Sequence, residues 1–155
     1  MRIGIVGNAQ DKFTKETERK ARDVIREILL SADKPVTLVS GHCHQGGVDI
    51  YSEEIADELG IPGDIKTPKV LCWDDGRGGY GFKARNIDIA RCSDEVHVIV
   101  VKEYPPGYTD RKFASCYHCE RMPGNDPRGH VKSGSCWTAL QAKRMGKRAI
   151  WHIID

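Results

Sequence analysis

Val36-Thr-Leu-Val-Ser-Gly-His-Cys-His-Gln-Gly-Gly-Val-Asp-Ile-Tyr-Ser-Glu-Glu-Ile-Ala-Asp-Glu-Leu-Gly60 is the stretch that decides the fold. Pro35 precedes a short β-branched run that ends at Ser40. A Gly-rich turn from Gly41 to Gly47 follows, and then Val48, Tyr51, Ile55 and Leu59 recur at helical spacing until Gly60 and Pro62 close the segment. A strand joined to a helix through glycines is half of a βαβ unit. The unit is already present upstream, where Arg2-Ile-Gly-Ile-Val-Gly7 reads as a strand and Thr14 opens a helix carrying Ala21, Val24, Ile25, Ile28 and Leu29. Downstream, Lys69 to Trp73 reads as a third strand and Gly76 to Gly81 as a loop. A helix then spans Phe82 to Cys92, and a strand runs from Glu95 to Lys102. Ser135 to Met145 reads as a last helix capped by Gly146, and Lys147 to Ile154 as a final strand. Five runs rich in Val and Ile, alternating with helices, predict an α/β three-layer sandwich with a mainly parallel sheet of about five strands.

The chain has 155 residues, of which 39% are hydrophobic and 30% charged. That is the size and composition of a single domain able to bury one core, here 1–155. Asp11 and Lys12 come too early for a secretory signal, and the longest apolar run, Val96 to Val101, is too short to span a bilayer and contains His97. A cytoplasmic protein without a membrane partner is expected, with its six cysteines reduced and used as metal ligands, reactive groups or core residues. Net charge is only +2, but it is unevenly spread. Residues 102–155 carry 10 basic and 5 acidic side chains, against 14 and 17 in residues 1–101. Lys143, Arg144, Lys147 and Arg148 read as a solvated helix face, whereas Arg128 and Lys132 lie beside glycines and suit anion contact.

Parallel α/β sheets gather strand C-termini and helix N-termini at one edge, where free N–H groups and helix dipoles favour anions. Three loops belong there. The first contains Gly7 and Asn8. The second contains Ser40, Gly41, Gly46 and Gly47, with Asp49 and Glu53 one turn apart on the helix that follows. The third is Lys132-Ser133-Gly134-Ser135. One such loop reads more readily as a plain turn with a helix cap; three at one edge point to a nucleotide or phosphorylated small molecule. No P-loop is present, which argues against ATP hydrolysis of the Walker type. His42, Cys43 and His44, being adjacent, point in different directions and read as pocket lining.

The order of three motifs, Val39 to Gly60, then Lys83-Ala-Arg-Asn86, then Ser133-Gly-Ser-Cys-Trp-Thr-Ala-Leu-Gln-Ala-Lys-Arg-Met-Gly-Lys147, resembles the SLOG superfamily. These are Rossmann-like proteins related to the Lonely Guy phosphoribohydrolases, the molybdenum-cofactor carrier proteins and DNA-processing protein A. The resemblance covers nearly the whole chain outside residues 103–131. It implies a Rossmann-like fold and a nucleotide-type pocket lined by Gly41, Gly46, Gly47, Asp49, Arg85, Asn86, Gly134, Ser135 and Thr138. Thr138 stands where the Lonely Guy enzymes carry their catalytic Glu, which leaves Asp49, Glu53 and Glu54 as the candidate acids for any N-glycosidic chemistry.

The stretch from Glu103 to about Lys132 has four prolines and no sustained periodicity, so something other than a core must order it. Cys116-Tyr-His-Cys119, His130 and Cys136 have spacings that suit a tetrahedral zinc, whose binding energy would order an insertion at about 103–136. His118 is the alternative to His130. A redox-active C-x-x-C is the competing reading, although such motifs sit at a helix start rather than in a loop. Cys72 and Cys92 read as core residues, and Trp151 and His152 as packing on the last strand.

The function expected is therefore binding of a nucleotide or related phosphorylated ligand at the C-terminal edge of the sheet, with a structural zinc. An N-glycosidic hydrolase or transferase acting on nucleotides is the enzymatic alternative. A zinc-containing nucleic-acid binder is a third reading, with Arg111, Lys112, Arg121, Arg128 and Lys132 as its phosphate footprint. Ligand identity and oligomeric state, a homo-oligomer included, stay open.

Overall fold

A computed structural model describes residues 1–74, 76, 79–109 and 134–155. Five strands, β1 (Arg2–Gly7), β2 (Thr37–Ser40), β3 (Gly63–Ile65), β4 (Glu95–Val101) and β5 (Arg148–Ile154), form one sheet in the order β3-β2-β1-β4-β5. Every pairing is parallel. Four helices, α1 (Lys15–Ser31), α2 (Val48–Glu58), α3 (Phe82–Cys92) and α4 (Gly134–Arg144), alternate with the strands. This is the α/β sandwich expected from the sequence. No helix among the described residues is long and apolar enough to cross a membrane.

Side-chain alternation along the strands divides the core in two. On one face Ile3, Ile5, Leu38, Ile99 and Val101 pack under α1 and α2 with Ile25, Leu29, Tyr51 and Ile55. On the other, Val6, Val39, Val96, Val98 and Val100 meet Ile89 and Ala90 of α3 and Ala139 and Ala142 of α4. Each large aliphatic among them contributes about 1.5–3 kcal/mol through its removal from water. Helix α1 begins where Thr14 predicts, because Thr14 and Thr17 form a reciprocal capping box: each backbone N–H donates to the other's side-chain oxygen, at 2.9 and 3.1 Å. Arg22 and Arg26 of α1 pair with Glu54 and Glu58 of α2, which gives Glu54 a surface role between the two helices.

Two expectations need correction. The third strand is Gly63–Ile65 and not Lys69 to Trp73. In the latter segment Val70, Leu71 and Trp73 are exposed, and the backbone bonds locally: the N–H groups of Lys69 and Val70 donate to the Tyr80 carbonyl, and those of Phe82 and Lys83 to the carbonyls of Cys72 and Trp73. An apolar run thus folds back on itself as a loop. A three-residue strand beginning at glycine after Pro62 can only be an edge strand, where a ladder bond is dispensable. Lys147 is the second correction. Its ammonium donates to the carbonyls of Ala90, Arg91 and Ser93 at 2.9, 2.5 and 2.6 Å, capping the C-terminus of α3 instead of decorating a solvated face. Cys92 packs against the second core cluster, whereas Cys72 lies half-buried in the loop.

Candidate functional site

Strand order reverses direction at β1, so the helices following β1 and β4 cover opposite faces and a crevice opens above the C-terminal ends of these two strands. A cleft of about 260 Å³ lies there, lined by Val6 to Ala9 and Lys12, by Cys43 to Gln45 and Asp49, by Trp73, Phe82, Arg85 and Asn86, and by Gly134, Ser135 and Thr138. The three loops expected to meet do meet, as far as they are described. Lys132 and Ser133 of the third lie outside the described residues, as do Arg111, Lys112, Arg121, Arg128 and the metal candidates Cys116, His118, Cys119 and His130.

Close backbone approach explains the glycines of the first two loops. A Cβ on Gly7 would stand 2.1 Å from the Ile99 carbonyl oxygen, and one on Gly47 2.2 Å from that of Asn8. Gly46 and Gly47 also have φ of 73° and 85°, a region costly to any residue with a side chain. The Val48 N–H donates to the Asn8 carbonyl at 3.0 Å, which clamps the second loop on the first. Asn8 is itself buried, and its Oδ1 accepts from the Val101 N–H at 2.8 Å. Asn8 therefore ties the end of β1 to β4 and shapes the cleft floor.

The opposite wall is organised by Arg85. Its Nη1 donates to the Gly41 carbonyl at 2.5 Å and its Nε to Asn86 Oδ1 at 2.7 Å. A Cβ at Gly41 would lie 2.6 Å from Nη1, so glycine is what admits the guanidinium. Two of its five donor hydrogens are used in these bonds, which leaves three without a partner among the described residues. The Asn86 amide donates to the Gly134 carbonyl at 3.4 Å, and Thr138 Oγ1 donates to the same oxygen at 2.8 Å. The starts of α3 and α4 are thereby fixed together. Gly41, Gly46, Gly47 and Ser40 support the cleft from behind and are not among its lining residues.

Asp49, in the first turn of α2, is the acidic group inside the cleft. Its Oδ2 accepts from the Cys43 N–H at 3.1 Å, and it is only 7% exposed. Burial pushes its carboxyl up to about 6; Arg85 pulls it down and the neighbouring Glu53 pushes it further up. Glu53 is occupied elsewhere: Ser40 Oγ donates to its Oε1 at 2.7 Å and His42 Nδ1 lies 2.6 Å from its Oε2. His42, at φ 49°, is drawn out of the cleft by that pairing. Cys43 and His44 do line it, and burial raises the Cys43 thiol above its ordinary value, so the thiol stays protonated at neutral pH.

Sequence reading missed Lys12, His44 as a stacking group, Phe82 and Trp73. The His44 and Phe82 rings are parallel to within 4° at 5.7 Å, and Trp73 meets Trp137 edge to face at 5.0 Å. The one signal for this aromatic rim was the exposed run Val70-Leu71-Cys72-Trp73, which suits a loop better than a strand. Cys136, the single described member of the metal set, is fully buried beside Val6, Val98 and Ala139.

No protein-family model matches the chain, and none of the curated proteins does. Among solved structures the fold is similar to that of DNA processing protein A from Streptococcus pneumoniae, with a TM-score of 0.53 at 16% identity. The match covers 96% of this chain and 49% of the other, so the chain spans about half the length of that protein. A Rossmann-like fold of the kind implied by the SLOG resemblance is thus what the chain adopts.

Proposed function

We propose that the cleft binds a nucleotide or a closely related phosphorylated small molecule. The observation that carries this reading is the joint placement of Arg85, with three donors unengaged among the described residues, and the first turns of α2 and α4 around one crevice at the strand-order reversal. Phosphate is held by Arg85, Ser135 and the helix N-termini, with Lys12 at the rim. The base lies against Trp73, an exposed face at the cleft mouth. The ionised Asp49 accepts from a ribose hydroxyl or a base N–H, which places the sugar between the two. Titration calorimetry with a nucleoside monophosphate panel tests this. At least one nucleotide binds more tightly than its nucleoside and than inorganic phosphate, and Trp73→Ala weakens it about tenfold, the scale of one lost stacking contact. A protein that binds none of the panel, or binds nucleoside and nucleotide equally, overturns it.

A reaction at the N-glycosidic bond is the second reading, favoured by the raised carboxyl of Asp49 inside the cleft, which suits proton transfer near neutral pH. Geometry prefers Asp49 to Glu53 for this role, since both Glu53 oxygens are engaged by Ser40 and His42. Free base released from a nucleotide, and absent with Asp49→Asn, supports it. The name of the structural neighbour points to DNA, and a polynucleotide presents the same phosphates and bases; steep loss of affinity with salt distinguishes that partner from a mononucleotide.

The zinc proposal stands on the spacing of Cys116, Cys119, His130 and Cys136, with His118 as the alternative imidazole. Cys136 lies in the first turn of α4, directly after that segment, with its side chain buried against the second core cluster. Elemental analysis of purified protein is expected to give about one zinc per chain, lost in Cys119→Ser. Folded, metal-free protein from metal-replete expression refutes this.

A further inference from the structure

The two edges of the sheet differ. Strand β3 is short, starts at a glycine after Pro62 and carries Asp64 in ion pairs with Arg2 and Lys66, devices that discourage pairing with another strand. Strand β5, at the other edge, runs for 7 residues. Between Arg148 and Asp155 it has neither proline nor charge, reading Ala149-Ile-Trp-His-Ile-Ile154, and residues 149–153 are all partly exposed.

Backbone direction on β5 follows from its neighbour. The Lys102 N–H donates to the Ile154 carbonyl at 2.7 Å, so Ile154 turns its N–H and C=O toward β4. Such groups alternate along a strand, and the register with β4 is unbroken from Arg148 to Ile154. Arg148, Ile150 and His152 therefore also face β4 with their backbone. The N–H and C=O groups of Ala149, Trp151 and Ile153 point off the sheet, with no partner among the described residues. The Trp151 indole N–H, at the middle of the strand, is likewise buried without an acceptor among them, a condition that is rare in completed structures.

We propose that β5 is an interface between two copies of this chain, paired antiparallel across a two-fold axis at Trp151 into one continuous sheet. Among the registers that face outward groups against one another, this one uses the whole strand. It sets Ala149 against the partner's Ile153 and Trp151 against the partner's Trp151, so each outward N–H meets an outward C=O. Two-fold pairing requires the strand to complement itself, and its charges do so. Lys147 and Arg148 open the strand and Asp155 follows it, so antiparallel copies bring a basic start against an acidic end, which fixes direction as well as partner. The side chains agree. On the α1 face, Ile150 and His152 line an open groove with Val24 and Ile28; pairing sets the partner's His152 and the partner's Ile150 opposite them and covers it. On the other face the two indoles meet across the axis, a favourable cross-strand pair.

Sedimentation equilibrium of the full chain is expected to give twice the 17.3 kDa of one copy. Amide exchange is expected to find Trp151 and Ile153 protected in the dimer and unprotected in the monomer that dilution or Ala149→Pro yields, while Ile150 and His152, bonded within the sheet, stay protected in both. Ala149→Pro removes an outward N–H and spares the β4 ladder. It weakens association about thirtyfold, through the two hydrogen bonds lost per dimer. Asp155→Lys, at an exposed position, sets like charges against the basic start of the other strand and weakens association with the fold unchanged, which keeps the interface testable where proline disturbs the strand. A chain that is monomeric throughout, a dimer whose Trp151 and Ile153 amides exchange freely, or association unchanged by either variant overturns the proposal.

Discussion

Gly7→Ala is expected to destabilise the protein by about 3 kcal/mol, at the upper end for overpacking a tight site. The added methyl meets the Ile99 carbonyl oxygen at 2.1 Å and the Val48 side chain at 2.5 and 2.8 Å. Val48 can turn, but the carbonyl cannot move without cost, because it accepts from the Asn8 N–H at 3.1 Å and belongs to the ladder joining β1 to β4. Relief therefore comes only by separating the two strands whose ends form the cleft floor. At roughly 2–4 °C per kcal/mol for a chain of this size, the melting temperature falls by about 6–12 °C. Gly60→Ala is the control. Gly60 has φ of 67° with nothing within 4 Å of a built Cβ, so the substitution carries backbone strain alone, about 1–2 kcal/mol. Equilibrium denaturation of both variants decides the matter; an equal or smaller loss at Gly7 contradicts the close approach.

The contrast between these glycines shows what the sequence could and could not reveal. Gly7, Gly46 and Gly47 are visible as glycines at a strand-to-helix turn, and that placement was enough to put their loops at the ligand edge. It does not show that Gly47 faces Asn8 or that Gly41 makes room for Arg85, since both contacts bridge segments far apart in sequence. The long helices and the Val/Ile strands were legible because burial imposes periodicity on them. Strand β3 was not, because three residues on a sheet edge bury too little to leave a pattern, and a nearby apolar run at Val70 and Leu71 mimicked one. Asp49 and Glu53 looked alike one turn apart. Their difference arises from Ser40 and His42, which take up Glu53 and leave Asp49 alone in the cleft. The same loss of information hid the contacts of His97 with Glu95 and with His152, at 3.0 and 2.9 Å, since strand register brings β4 and β5 side chains together.

Asp49→Asn is expected to stabilise the protein at pH 7 and to leave it nearly unchanged at pH 3.5. In the folded state the carboxyl is raised from 3.8 to about 6, so between these values the folded chain holds a proton that the unfolded chain has released. Stability from this group is fully present below pH 3.8, falls as pH rises toward 6, and is flat above it. At about 1.4 kcal/mol per pH unit the ionised form costs roughly 3 kcal/mol at neutral pH. Asn retains an oxygen for the Cys43 N–H, so the substitution removes the charge and spares that bond. Other carboxylates run the opposite way: Asp64, held below its ordinary value by hydrogen bonds from Lys66 and Arg2, loses stabilisation as pH falls. The difference between the native chain and Asp49→Asn cancels such common terms and isolates Asp49. A difference that grows from near zero at pH 3.5 to a plateau above pH 6, measured by chemical denaturation, is the expected result, and a pH-independent difference rules the account out. Carboxylates that destabilise their own fold cluster at sites where a ligand gains from them. The same variant is therefore expected to bind nucleotide more weakly at pH 7 while melting higher, and a variant that gains both stability and affinity would remove Asp49 from the ligand-binding site.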